Sequence, residues 1–268
     1  MKEKAAAAKH RFEEGAGGEL WTRLNAIDFI NQAFILASLL FLCVVPFLML
    51  VAALKGADFV DNLSRRLSLN DAASQDVRTL FASSATTLAS TTVLSAIGLA
   101  FWAVAVAAVI KGYYVKVFDV DPKNAKGLWR LPVWFIVVGG TSTGVAVVNR
   151  WLNDLSAGSV LAWVFGFAVS VAFWWWSMHF LVAGRRTWRY LLPSALATAV
   201  CFAGLRAFAV LALSSAVTSN ENRYGPIGVV FILMYWLVSV GVVILLGAVI
   251  GVVYQERIKP DRAAARTH

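Results

Sequence analysis

Tyr224–Tyr254 reads YGPIGVVFILMYWLVSVGVVILLGAVIGVVY. Between Ile227 and Val253 it holds no charged residue, a run of about 27 where about 20 suffice to cross a hydrocarbon core as a helix. A helix that is apolar on every face has no ordinary place in a soluble domain. Gly225 and Pro226 mark its start, since proline fits the first helical turn, where its missing N–H costs nothing. Arg257, Lys259 and Arg262 follow its end. The stretch is a transmembrane helix with a marked beginning and a basic end.

The rest of the chain agrees. Of 268 residues, 59% are hydrophobic and 15% charged, with a mean hydropathy of +0.70. Ordinary globular domains carry about 25% charged residues. The net charge of +9 would point a soluble protein toward nucleic acid. Among membrane spans it reads instead as topology and contact with lipid headgroups, so membrane lipids rather than nucleic acid are the expected partners. Cys43 and Cys201 lie inside apolar runs, without the spacing of a metal site or a disulfide framework.

Taken in order, residues 1–28 form a polar N-terminal tail in which Gly15, Gly17 and Gly18 predict a flexible break before Leu20 and Trp21. The first apolar run begins near Phe29. It is far longer than a signal-peptide core and lacks a clean cleavage site, so it is expected to remain. Spans are predicted at about 29–54, 87–109, 131–148, 159–183, 191–217 and 227–253, within a membrane domain of 29–254, followed by a C-terminal tail of 255–268. The second helix is expected to run on toward Phe118. Pro46 inside span 1 frees a carbonyl and predicts a kink. In the polar connection, Phe59, Val60, Leu63 and Leu67 recur at helical spacing and predict a short amphipathic surface helix between spans 1 and 2. Ser83, Thr87, Thr91 and Ser95 share one face of span 2; that face either packs closely or lines a pathway. Gly140 and Gly144, and Gly247 and Gly251, have the spacing of close helix contacts. The last pair faces either a neighbouring helix or a second copy in a homo-oligomer.

Basic residues decide the orientation. They collect in both tails, in the span 2–3 connection and in the Gly184-Arg185-Arg186 turn, whereas the short turns opposite hold only Arg150 and Arg223. The bias places both termini in the cytoplasm, as an even number of spans requires.

With the spans placed, the sequence resembles the YihY/BrkB family of bacterial inner-membrane proteins. The resemblance is most specific in Tyr224-Gly225, Gly228, Tyr235-Trp236-Leu237, Ser239 and Leu245-Leu246-Gly247-Ala248. Pro46, Phe101-Trp102, Tyr113-Tyr114 and Leu192-Pro193-Ser194-Ala195 are weaker matches. The family pattern places an acidic residue after Leu-Leu-Gly-Ala; here Val249 stands there, and any role of that carboxylate does not carry over. The resemblance implies an all-α bundle of six helices in the bacterial plasma membrane. The family has carried a ribonuclease label, which these residues do not support. No acidic residue lies in the central part of a span, and no carboxylate cluster, metal-ligand spacing, phosphate loop or nucleophile elbow is present. The chain is read as a non-enzyme without metal or cofactor.

Ionisable residues inside spans are costly and default to functional candidates. Arg206 is the foremost. It either faces a water-filled cavity and meets an anionic group, or snorkels to the outer interface. His179, two turns from Arg185 and Arg186, is either a satisfied interfacial residue or a proton relay. Trp174–Trp176 read as anchoring or packing. Asp28, Asn31 and Gln32 form either a polar entrance or a helix-start cap. Together with Thr87 and Thr91, these compose a candidate substrate pathway. The expected function is transport or flipping of a lipid or other amphipathic anion; the alternative is a non-transporting scaffold for envelope partners.

Overall fold

The computed structural model describes residues 16–55, 88–124, 127–153, 158–209 and 226–258. Within them the chain is all helical, with no strand: α1 (Ala16–Ala26), α2 (Phe29–Lys55), α3 (Leu88–Val117), α4 (Arg130–Asn153), α5 (Gly158–Leu181), α6 (Trp188–Phe208) and α7 (Pro226–Ile258), with a short 3-10 turn at Pro122–Asn124. Five helices, α3 to α7, are long and apolar enough to cross a membrane. α1 and α2 qualify as a pair bent by 58°, which brings the number to six if the pair is one broken span. The chain is an all-α membrane protein.

Each helix packs on the next along the chain from α2 to α7, and α7 packs back on α2. The six therefore close into a ring of sequential neighbours. α7 also touches α1 and α3. Half of its span (50%) is buried, against 11% for α4 and for α5, so α7 is the helix around which the ring is built.

What lets α7 take that place is the absence of side chains. A Cβ at Gly251 would come within 3.0 Å of Ser194 on α6, and one at Gly247 within 3.0 Å of Thr198. At Gly241 it would stand 2.9 Å from the Ala33 carbonyl oxygen of α2. In lipid there is no hydrophobic drive between helices, so close backbone approach and the dispersion contacts it permits hold them together. The α6–α7 seam is completed by hydrogen bonds. Ser194 Oγ donates to the Ala248 carbonyl at 3.1 Å, and Thr198 Oγ1 to the Ser194 carbonyl one turn back at 2.8 Å. Of the two partners open to the Gly247 and Gly251 pair, the neighbouring helix is the one it meets. The Leu245 carbonyl accepts from Tyr113 Oη of α3 at 2.9 Å.

Several expectations change. Gly140 and Gly144 do not form a close contact: both are exposed, and a Cβ at either meets no atom within 4 Å. α4 packs mainly on α3 and α5, and its glycine face lies away from them. Gly17 and Gly18 do not break the chain. α1 runs through them, with Gly18 buried, and tertiary packing outweighs the roughly 1 kcal/mol that a glycine costs a helix. α2 continues through Pro46 to Lys55, and a Cβ at Gly98 of α3 would lie 3.8 Å from the Pro46 Cβ. α7 opens at Pro226 as the proline rule requires. The amphipathic helix expected around 59–67 lies outside the described residues.

The seam gives a direct test. Gly251→Leu forces a side chain into α6 backbone and should cost about 1–3 kcal/mol or more, lowering the thermal midpoint of the detergent-solubilised protein by several degrees. Gly140→Leu, on the open face of α4, should leave it unchanged. Equal effects of the two would remove the seam from this role.

Candidate functional site

The two ends of the ring differ. In α2 to α7 the described buried residues run from the end nearest α1 to about the helix middle: Ala33 to Ala37 in α2, Ala103 to Val115 in α3, Leu131 and Trp134 in α4, Trp174 to Leu181 in α5, Leu191 to Ala199 in α6 and Gly241 to Val253 in α7. In the opposite halves no described residue is buried; Trp151 is 77% exposed, Phe231 70% and Tyr235 81%. Among the described residues burial thus gathers at the end carrying both described termini, the shut end, and thins toward the other, the open end.

Two arginines close the shut end. α3 and α5 both finish with a backbone turn in the left-handed region, at Asp119 (φ 49°) and at Ala183 and Gly184 (φ 59° and 71°). In each, an amide reaches back five residues: Val120 N–H to the Val115 carbonyl and Gly184 N–H to the His179 carbonyl, both at 2.9 Å. Such turns leave carbonyls at the negative end of the helix dipole, where cations bind well. Arg186, in the α5–α6 turn, donates through Nε to the Phe118 carbonyl at 2.7 Å and through Nη2 to the Asp119 carbonyl at 2.8 Å. Arg130, at the start of α4, donates through Nη1 to the Phe180 carbonyl of α5 at 2.9 Å. The guanidinium of Arg186 lies 5.3 Å from the Tyr190 ring centre, and that of Arg130 5.5 Å from the Trp129 and Phe180 rings. Each arginine thus ties one connection to the end of a helix it does not belong to. Sequence reasoning read both only as topology charges. Their one legible signal was position, beside the two turns.

Aromatic packing fills the space between. His179 stacks on Trp188 with ring centres 4.0 Å apart, and its Nδ1 lies 3.1 Å from the Arg186 carbonyl. Trp174 is buried and stacks on Phe202 at 5.2 Å; Trp175 Nε1 donates to the Trp188 carbonyl at 2.7 Å; Trp176 stacks on Phe180 at 4.7 Å. Trp134 Nε1 donates to Ser177 Oγ at 2.6 Å in a buried site. His179 and the tryptophan run thus pack together at the shut end.

Asn31 and Gln32 also sit at this end, just past the α1–α2 bend. Asn31 Nδ2 donates to Asp28 Oδ2 at 2.9 Å and the Gln32 N–H to the Asp28 carbonyl at 3.0 Å. Asp28 and Asn31 are thus paired with each other at the start of α2. Arg206 lies elsewhere. It is 18 residues beyond Trp188, about 27 Å along the α6 axis, close to the full thickness of a hydrocarbon core of about 30 Å. At about 100° per residue it falls within about 20° of Ala195 and Ala199 around the helix. Both of those are buried in the shut half, yet Arg206 is exposed. It continues the inward stripe toward the other end, and its side chain has no hydrogen-bond or ion-pair partner among the described residues. Thr91 is in the first turns of α3, toward the same open end; Thr87 lies outside the described residues. The pathway candidates divide between the ends: Asn31, Gln32 and His179 at one, Arg206 and Thr91 at the other.

Of the α7 signature, Trp236 is half-buried and Gly247 lies in the α6 seam. Gly228 is in the first turn of α7, and Tyr224 and Gly225 lie outside the described residues. Val249 is buried, so the position where the family pattern places a carboxylate is an apolar core position here. Among the described residues no three His, Cys, Asp or Glu side chains converge to hold a metal ion.

A ring of apolar helices long enough to span a bilayer defines a multi-pass membrane protein. Residues 20–268 match the family model described as "Virulence factor BrkB", and the chain belongs to that family. No curated protein and no solved structure matches it.

Replacing Arg186 tests the closure. Arg186→Gln withdraws a charged donor from two carbonyls and should destabilise by about 1.5–3 kcal/mol. Arg189→Gln, on an exposed neighbour, should cost less than about 0.5 kcal/mol. Thermal unfolding in detergent compares them; a harmless Arg186→Gln would mean the clamp does not hold the shut end.

Proposed function

We propose that this protein moves a lipid or another amphipathic anion across the membrane, engaging its charged group at the open end of the helix ring. The observation that carries the reading is Arg206, which lies on the inward stripe of α6 but is exposed. Near the far end of its span a guanidinium reaches the headgroup layer or a pathway that opens into it. An exposed guanidinium at the rim of an open helix ring offers several N–H donors to a phosphate or carboxylate, while the surrounding Phe202, Leu205 and Phe208 suit an acyl chain.

We take the membrane to be the bacterial plasma membrane and both termini to be cytoplasmic. Lys116, Lys123, Arg130, Arg185, Arg186, Arg189 and Arg257 all gather at the shut end, as the positive-inside rule favours. The open end then faces away from the cytoplasm, so the anion is met from the outer leaflet. The activity is movement, not catalysis, and needs no cofactor.

Purified protein in liposomes carrying a fluorescent anionic lipid tests this by following loss of leaflet asymmetry. Wild-type protein should accelerate translocation, Arg206→Ala should reduce the rate about tenfold or more, the loss of about 1.4 kcal/mol of binding or barrier stabilisation, and Arg206→Lys should retain part of it. Full activity in a folded Arg206→Ala protein would remove Arg206 from the pathway. No acceleration of any lipid class would move the weight to a scaffold for envelope partners.

A further inference from the structure

We propose that α1 is a strap whose docking on the end of α7 is set by ionic strength at the shut end of the ring. Four charged side chains alternate across the α1–α7 contact. Arg257 Nε donates to Glu19 Oε2 at 3.0 Å, Arg23 Nε lies 3.8 Å from Glu19 Oε1, and Arg23 Nη2 pairs with Glu256 Oε2. All four side chains are about a third or more exposed, between 34% and 43%. Exposed pairs of this kind are weak and yield to salt.

The apolar part of the contact is short: Gly18 and Leu24 are buried and Leu20 and Ile27 partly so, but Trp21 is 57% exposed. The joint to α2 is built to turn: the chain bends by 58° there, and Asp28 sits in the left-handed region at φ 53°. The first bonds of α2, from Asn31 and Gln32 to Asp28, are made within α2 and its leading residue, while α1 reaches the joint through the Asp28 N–H to the Asn25 carbonyl. α1 therefore leaves without dismantling α2. Freed, its Leu20, Trp21 and Leu24 suit the headgroup layer of the bilayer, where tryptophan is favoured. Its departure uncovers the last turns of α7, the helix on which the ring depends.

The contrast with the arginine clamp supports this. Arg130 and Arg186 donate to backbone carbonyls in partly buried sites, which salt screens poorly. The polar contacts of the strap are exposed side-chain pairs, so added salt should act on it first.

Hydrogen exchange of the full-length protein in lipid nanodiscs tests the strap. Raising KCl from about 0.1 M to about 1 M shortens the screening length from about 10 Å to about 3 Å. Amide protection in residues 17–26 should then fall about tenfold, while residues 241–252 of α7 keep theirs and sucrose at matched osmolality has no effect. Arg23→Glu should show the low protection already at about 0.1 M KCl and lose the salt response, with unchanged protection of 241–252 reporting that the ring is intact. Salt-independent protection of 17–26 in the wild type would overturn the proposal. So would an Arg23→Glu protein that keeps the wild-type protection and salt response, since apolar contact would then hold α1.

Discussion

The fold depends on how closely α7 approaches α6. Helices in a bilayer gain nothing by hiding apolar surface from lipid tails that are equally apolar, so their association rests on contact distance and hydrogen bonds. Gly247 and Gly251 place the backbone of α7 directly on Thr198 and Ser194, and Ser194 adds a hydrogen bond to the Ala248 carbonyl. With Gly241 set against Ala33 of α2, the same helix is fixed on two sides. Everything else in the ring joins onto that pair.

From the seam outward the ring is held unequally. Near the termini the helices are tied by arginines reaching backbone carbonyls and by stacked aromatics. Toward the other end the side chains whose burial is described are only partly buried or exposed. In the proposed function that looser end is the place where the anion enters. Arg206 lies there on the face that is packed two turns earlier. The same helix thus performs two tasks, sealing with Ala195 and Ala199 and carrying a charge one stretch further on. The BrkB-family membership and the apolar helices place the chain in a membrane; movement of an anion rests on the asymmetry and on Arg206.

Much of this was legible in the sequence for simple reasons. Lipid requires every backbone group to be satisfied within a segment, so apolar length alone marks the helices: α2 occupies 29–55 and α7 226–258, close to the runs that predict them. Pro226 marks the start of α7, and the Gly247 and Gly251 spacing marks its seam. The same spacing at Gly140 and Gly144 marks no contact, because spacing says which residues share a face and not whether a helix lies against it. α1 was illegible behind its glycines, since its stability comes from packing on α7 over 200 residues away in sequence. The clamp was hidden for a related reason. An arginine that caps another helix has the same sequence appearance as one that faces lipid headgroups. Arg206 stood out by its apolar surroundings, but only the burial of Ala195 and Ala199 gives the stripe it continues an inside.

Accessibility along that stripe tests the account most directly. Single cysteines at positions 195, 199 and 206, introduced after Cys43 and Cys201 are replaced by alanine, can be labelled in oriented membrane vesicles with a membrane-impermeant maleimide applied to one face at a time. A ring shut at the terminal end and open at the other predicts labelling at 206 from the face opposite the termini, with 195 and 199 protected from both. Labelling of 195 or 199 from the side of the termini, or of 206 from that side only, would contradict it.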